Sequence, residues 1–316
     1  MPTLPLYTPS PRHPDASHAV IAPGGYERWY FDAESAAGDL RVVAVFSQGT
    51  ADHPDHAAYL RRYRYYRLFP TRRRPPVPAE WSAVSLTVYA PGAEAMHLVR
   101  ACAPGEFLAA AGRLDLSAGP DRVGTESDGS TRMTLEAWGA ELTFRPLWAH
   151  RPGEVDLFPR PRAREQHHWV VAAPYCAVEG SVRIGAGRTV ALSGRGYHDH
   201  QFGTTPIRSW MRGRILGQPG VTAFHIDGVG QAAGPRRYPR EAHYVDADAE
   251  GVRDAATLVW LEGNRLPTSI DFNSAGISLS RPQVFDRSGA VRRVVYEVSA
   301  EKVSGLDGRA AFCEWV

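Results

Sequence analysis

The densest group of reactive side chains in this 316-residue chain runs Gly194-Arg195-Gly196-Tyr197-His198-Asp199-His200-Gln201-Phe202-Gly203. Two imidazoles, a carboxyl and a phenol occupy four consecutive positions. Three kinds of chemistry fit such a block. A carboxyl in apolar surroundings keeps its proton near neutral pH, which makes Asp199 a candidate general acid beside Tyr197, His198 and His200. Two histidines on one face of a strand suit a metal, with His225 or Asp227 as a further ligand, although no third ligand stands at a persuasive spacing. In the plainest reading Asp199 ties down a turn by hydrogen bonds and the histidines are satisfied inside the core.

The element carrying the block decides which of its side chains act together. In a strand alternate residues share a face, so His198 and His200 point one way and Tyr197 and Asp199 the other. Val190 and Leu192 have the parity of His198, which places the histidines inside. Gly194 and Gly196 offer sites for a bulge that would reverse the parity, so both assignments stay open on sequence alone.

The rest of the chain reads mostly as strands. Tyr26 to Asp32, Leu40 to Gln48, Trp81 to Tyr89, Met133 to Trp138 and Glu141 to Leu147 are short and rich in β-branched and aromatic residues. Gly, Pro, Asp and Ser clusters punctuate them. Cys176 to Ile184 and Arg188 to Ser193 flank Gly185-Ala186-Gly187, a hairpin signal. The pattern continues over Val221 to Gly228, Ala256 to Leu261, Thr268 to Phe272 and Val291 to Ala300. An all-β protein of sandwiches or barrels follows, and the length suggests two domains. We place the boundary after Gly203, giving domains 1–203 and 204–316.

One segment breaks the pattern. Between Asp52 and Pro76, Tyr59, Tyr63 and Tyr66 stand at helical spacing. The stretch Arg61 to Arg74 holds seven arginines with Tyr63, Tyr65, Tyr66 and Phe69 among them. It reads either as a solvated segment with arginine stems packed on tyrosine rings or as a contact for a membrane surface.

Composition excludes several classes. Net charge is +2 from 36 basic and 34 acidic residues, so a globally basic nucleic-acid-binding domain is not expected. Lys302 is the single lysine, which leaves Schiff-base catalysis one candidate near the C-terminus. Cys102, Cys176 and Cys313 are widely spaced and form no C-x-x-C pair, so neither a disulfide framework nor a zinc knuckle is suggested. Met1 to Asp15 carries five prolines and no apolar run, unlike a secretory signal. Gly228 to Gly234 has one residue too many for a dinucleotide fingerprint and reads as a turn. These features lead us to expect a cytoplasmic protein.

The flanks of the reactive block carry a resemblance. His168-Trp169, Ala173-Pro174, Val178-Glu179-Gly180, the Gly194 to Gly203 block and Trp210-Met211-Arg212-Gly213-Arg214 together resemble the hydroxyneurosporene synthase (carotenoid 1,2-hydratase) family and its AttH-like relatives. Gly24 to Asp32 resembles the family's opening strand, and Gly308 to Trp315 its closing strand. Two features depart from the pattern: the basic insert, and Gln201-Phe202 where relatives often carry Asn and an aromatic residue. The resemblance implies two tandem lipocalin-like (calycin-type) antiparallel β-barrels and an apolar small-molecule ligand.

Hydration of an alkene begins with proton transfer to carbon, leaving a tertiary carbocation. Asp199 is the expected acid, and His198 or His200 would orient water or return the proton. Aromatic faces stabilise the cation, with Trp29, Tyr30, Tyr197, Phe202 and Trp210 as candidates; Glu27, Trp169, Arg212 and Arg214 are further expected substrate contacts. Such a hydration requires no metal or organic cofactor. A cyclase would use the same surroundings to fold a polyene, with Arg212, Arg214 or Tyr197 polarising a carbonyl. A carrier would only bind its ligand. Core packing is the plainer role for Trp29, Trp169 and Trp210, and ion pairing with Glu27 or Asp32 for Arg212 and Arg214.

Overall fold

The computed structural model describes residues 13, 15–90, 94–147, 154–156, 166–185, 187–206, 210–215, 223–227, 236–245, 252–260, 267–272, 276–286, 291–300 and 309–315. For 154–156, 226–227, 236–245, 252–260, 284–286 and 315 only the backbone path is described. The Gly228 to Gly234 turn lies outside the described residues.

The chain divides into two compact units, Met1–Pro206 and Ile207–Val316. Strands of the first are β1 (Tyr26–Ser35), β2 (Arg41–Gln48), β3 (Ser82–Tyr89), β4 (Met96–Ala101), β5 (Phe107–Ala109), β6 (Asp115–Ala118), β7 (Asp121–Thr125), β8 (Thr131–Leu135), β9 (Ala140–Pro146), β10 (Glu154–Asp156), β11 (His167–Ile184) and β12 (Arg188–Gly203). Among the described residues they form one antiparallel sheet ordered β4-β3-β2-β1-β12-β11-β9-β8-β7-β6-β5, with β10 on β11.

The sheet curls because one face is apolar throughout. Trp29, Phe31, Phe46, Leu86, Phe107, Leu142, Phe144 and Val178 meet in a single buried cluster. Phe107 of β5 lies against Trp29 and Phe46, which belong to strands far away in the sheet order. A side chain joins the two ends of the path. Arg100 of β4 donates to the Ala118 carbonyl of β6 and to Asp121 at 2.7 Å.

Strands that sequence reasoning found in this unit, β1, β2, β3, β8, β9, β11 and β12, are long, rich in apolar residues or clearly alternating. Those it missed, β4 to β7, are short and carry polar residues at mixed parity, so no two-residue period stands out. β12 is longer than Arg188 to Ser193 and includes the whole reactive block. β11 shifts register between Val171 and Ala173 and again before Cys176. Pro174 sits in that interval, where an imino nitrogen cannot join the ladder.

Gly194 and Gly196 host no bulge toward β1, because the pairing from Ser35↔Gly194 to Tyr26↔Gly203 is unbroken. They allow close approach instead. A Cβ on Gly194 would lie 1.9 Å from the Glu34 carbonyl oxygen, and one on Gly196 2.6 Å from that of Asp32. Gly194→Ala is therefore expected to lower stability by about 2 kcal/mol or more, read as a lower denaturant midpoint. Gly112→Ala, whose Cβ would meet nothing within 4 Å, is the control and shifts it little.

The segment from Asp52 to Pro76 contains a helix, α1 (His56–Leu68). Tyr59 is buried on its inner face and donates to the Gly25 carbonyl at 2.5 Å. The Tyr63 ring lies against Gly24, where an added Cβ would come within 2.4 Å of it. No helix among the described residues is long and apolar enough to cross a membrane.

Strands of the second unit are β13 (Trp210–Ile215), β14 (Ala223–Asp227), β15 (Arg236–Val245), β16 (Val252–Trp260), β17 (Ser269–Phe272), β18 (Ile277–Asp286), β19 (Arg292–Ala300) and β20 (Ala310–Trp315). They close into an antiparallel barrel in chain order, with β20 returning to β13. Met211, Phe224, Ile270, Leu279, Val294 and Cys313 are among its buried apolar residues. β15, RRYPREAHYV, was invisible in the sequence because its charges and proline hide any strand period.

Candidate active site

Register between β1 and β12 settles the parity left open above. Paired residues project to the same side of a sheet, and neighbours along a strand to opposite sides. His198 pairs with Phe31 and His200 with Trp29, so both histidines face the core side. Asp199 pairs with Tyr30, Tyr197 with Asp32 and Gln201 with Arg28, so these six share the opposite side.

The core-side face is occupied by the chain's own residues 15–20. Asp15 lies 2.8 Å from His198 Nε2, while the Tyr30 carbonyl lies 2.8 Å from Nδ1. Glu27, fully buried, accepts from the His18 backbone N–H at 2.6 Å and the Ser17 hydroxyl at 3.1 Å. The same carboxylate lies 3.1 Å from His200 Nε2. His200 stacks on Trp29 at 4.5 Å, and the Trp29 indole donates to the Asp15 carbonyl. Phe202 is stacked between His18 and His168. Glu27, Trp29 and Phe202 thus pack residues 15–20 onto the sheet.

Burial alone would lower the His198 imidazole, but the Asp15 carboxylate beside it, with the Tyr30 carbonyl, raises it above the usual histidine value. A raised value means that the pair's stabilisation is full below about pH 6.5 and is lost as pH rises through the folded-state value. The stability difference between wild type and Asp15→Asn should be largest below that pH and shrink above it. Denaturant midpoints across a pH series measure this, and a constant difference would count against the pair.

On the other face Asp199 is fully buried, and two donors converge on one of its oxygens. The Trp169 indole nitrogen lies 3.1 Å from Oδ2 and the Tyr197 hydroxyl 2.7 Å from the same atom. Trp169 reaches it from β11, where it pairs with Gln201 and so projects to the Asp199 side. Tyr30 packs edge-on to Tyr197 with ring centres 6.1 Å apart, and the Arg28 guanidinium lies 5.2 Å from the Tyr30 ring centre. Arg28 is held by Asp52 at 2.7 Å. Asp32 adds a second buried carboxyl to this face.

The structure therefore divides the residues singled out from sequence. Asp199, Tyr197, Trp169 and Tyr30 come together. His198 and His200 do not join them, because one-residue steps along a strand reverse the side chain. Their ring nitrogens are engaged with Asp15, the Tyr30 carbonyl and Glu27, and no cluster of three metal-ligating side chains occurs among the described residues. Arg28, Asp32 and Gln201 were missed as site residues; the alternation Arg28-Tyr30-Asp32 on one strand was the available signal.

Trp210, Arg212 and Arg214 belong to β13 of the second unit and are buried there. The carboxylate found on Arg212 is Glu314, its register partner, at 2.5 Å, and Arg293 holds the same carboxylate at 3.0 Å. Trp210 stacks on His225 with 6.2 Å between ring centres.

No protein-family model matches the chain. A curated relative, hydroxyneurosporene dehydrogenase of Chlorobaculum tepidum, is 28% identical over 231 residues, which are 64% of this chain and 56% of that protein. The chain thus matches little over half the length of that relative. An AttH structure from Nitrosomonas europaea superposes with a TM-score of 0.61 at 12% identity, covering 100% of this chain and 98% of the other. The chain is similar to AttH-like, tandem lipocalin-like proteins. Other solved structures of this AttH-like fold are kievitone hydratase of Nectria haematococca, TM-score 0.58 at 12% identity over 98% and 93% of the two chains, and CghA, TM-score 0.51 at 12% over 99% and 94%. These likenesses establish the AttH-like fold, two tandem lipocalin-like β units.

Proposed function

We propose that this AttH-like protein is a cofactor-independent hydratase of an apolar polyene or terpenoid, with Asp199 as the proton donor. The observation that carries this reading is the convergence of Trp169 Nε1 and Tyr197 Oη on Oδ2 of a fully buried carboxyl. Two donors on Oδ2 fix the orientation of the carboxyl. A carboxyl pinned in this way can present its proton to carbon in one orientation.

The reaction balances without another reagent. The Asp199 carboxyl gives its proton to the less substituted alkene carbon, and the π electrons form the new C–H bond. The tertiary cation left on the neighbouring carbon is captured by water. The water then loses a proton to the Asp199 carboxylate, which regenerates the acid. Tyr30, Tyr197 and Trp169 are the aromatic faces beside the carboxyl, and each stabilises a cation by ~0.5–2 kcal/mol, depending on desolvation. The names kievitone hydratase and hydroxyneurosporene dehydrogenase, borne by similar proteins, agree with an apolar substrate; the second carries a redox term that the Asp199 site does not explain.

The test is incubation of purified protein with acyclic carotenoids ending in an isopropylidene group, in water enriched in heavy oxygen. A hydratase yields a product heavier by one labelled water. An isomer of unchanged mass would instead point to a cyclase, in which Tyr197 polarises the substrate. Recovery of the unaltered compound bound to protein would favour a carrier.

A further inference from the structure

The proposed chemistry makes no use of α1 and the turn that follows it. Residues 56–79 hold seven arginines and no acidic residue. The remaining chain has 29 basic against 34 acidic residues, so this one segment carries the positive charge of an otherwise net-negative protein. Among the described residues a single carboxylate meets these arginines, Glu80, which lies against Arg62 and Arg74. Arg61, Arg64, Arg72 and Arg73 are exposed and meet no carboxylate among the described residues.

Geometry sorts the helix into two sides. Tyr59 and Tyr63, one turn apart, fasten it to the first unit. The outward side bears Arg61, Arg64 and Tyr65, continued by Leu68, Phe69 and Arg72. Its apolar members are open to solvent, with Tyr65 53%, Leu68 69% and Phe69 49% exposed. Large apolar side chains among unpaired arginines match the boundary between headgroups and acyl chains. A helix of 13 residues is about 20 Å long and lies along such a plane. Nucleic acid fits less well, because an exposed leucine gains nothing from base stacking.

We propose that α1 and the turn to Arg74 dock the protein on an anionic lipid bilayer, the arginines meeting headgroup phosphates and Tyr65, Leu68 and Phe69 entering the interface. The proposal does not depend on Asp199 chemistry, and vesicle binding reads it without any turnover.

Sedimentation of the full chain with phosphatidylcholine vesicles, with and without about a third of phosphatidylglycerol, tests it. Binding is expected only to the anionic vesicles, falling steeply with added salt. Each exposed arginine is worth roughly fivefold in partitioning. The triple variant Arg61→Glu, Arg64→Glu, Arg72→Glu should therefore lose roughly a hundredfold or more, with an unchanged melting temperature because these side chains are exposed. Tyr65→Ser, Leu68→Ser, Phe69→Ser should weaken binding while preserving its salt dependence. No binding, equal binding to neutral vesicles, or tighter binding to a polyuridylate RNA than to anionic vesicles would each overturn the proposal.

Discussion

Asp199→Asn is expected to reduce hydration by about 10²–10⁴-fold while the protein stays folded. Asparagine matches the carboxyl in shape, and its amide oxygen still accepts from Trp169 and Tyr197, whose bonds to Oδ2 are 3.1 and 2.7 Å. What it lacks is a proton to give. Tyr197→Phe removes one of the two donors but leaves the acid, so a smaller loss, about tenfold, is expected from misorientation. Product formation measures both variants, with near-ultraviolet circular dichroism reporting the packing of the Tyr30–Tyr197 pair. If Asp199→Asn turned over normally, the acid would lie elsewhere, with Asp32 on the same face as the next candidate. A loss seen only as ligand affinity, with no product from wild type either, would indicate a carrier.

The second large effect concerns stability. Glu27→Ala is expected to destabilise the first unit by about 3 kcal/mol or more, because the carboxylate satisfies three buried groups at once. The Ser17 hydroxyl and the His18 amide would lose their buried acceptor, at ~1–3 kcal/mol for each group left unsatisfied, and His200 would lose a contact. The same substitution should loosen residues 15–20 around His18, since the Ser17 hydroxyl and the His18 amide are both held by Glu27. Chemical denaturation gives the stability, and limited proteolysis near His18 gives the loosening. Glu27→Gln keeps an acceptor oxygen and should lose less. If Glu27→Ala melted like wild type, residues 15–20 would not be fastened by this carboxylate.

Much of this protein could be read from order along the chain. Short apolar segments between turn residues identify an all-β protein, because a two-residue side-chain period is a local property of strands. The same period separates Tyr197 and Asp199 from His198 and His200, whatever the fold. Tyrosines at positions 59, 63 and 66 mark the inner side of α1 for the same kind of reason, a local 3.6-residue period.

Tertiary structure decided what faces each side. Parity says that His198 and Asp199 diverge, but only the ten-residue register between β1 and β12 shows that the histidines meet the core side. No local pattern announces that residues 15–20 cover them, since His198 and Asp15 are 183 positions apart. The Trp169–Asp199 bond spans 30 positions and depends on how β11 shifts register around Pro174. Arg212 likewise takes Glu314 as its carboxylate because β20 closes the second barrel against β13, 102 residues along the chain. Local periods are written in single segments. Partners at such distances are chosen by sheet closure and burial, where each charge must find whatever counter-group the fold brings beside it.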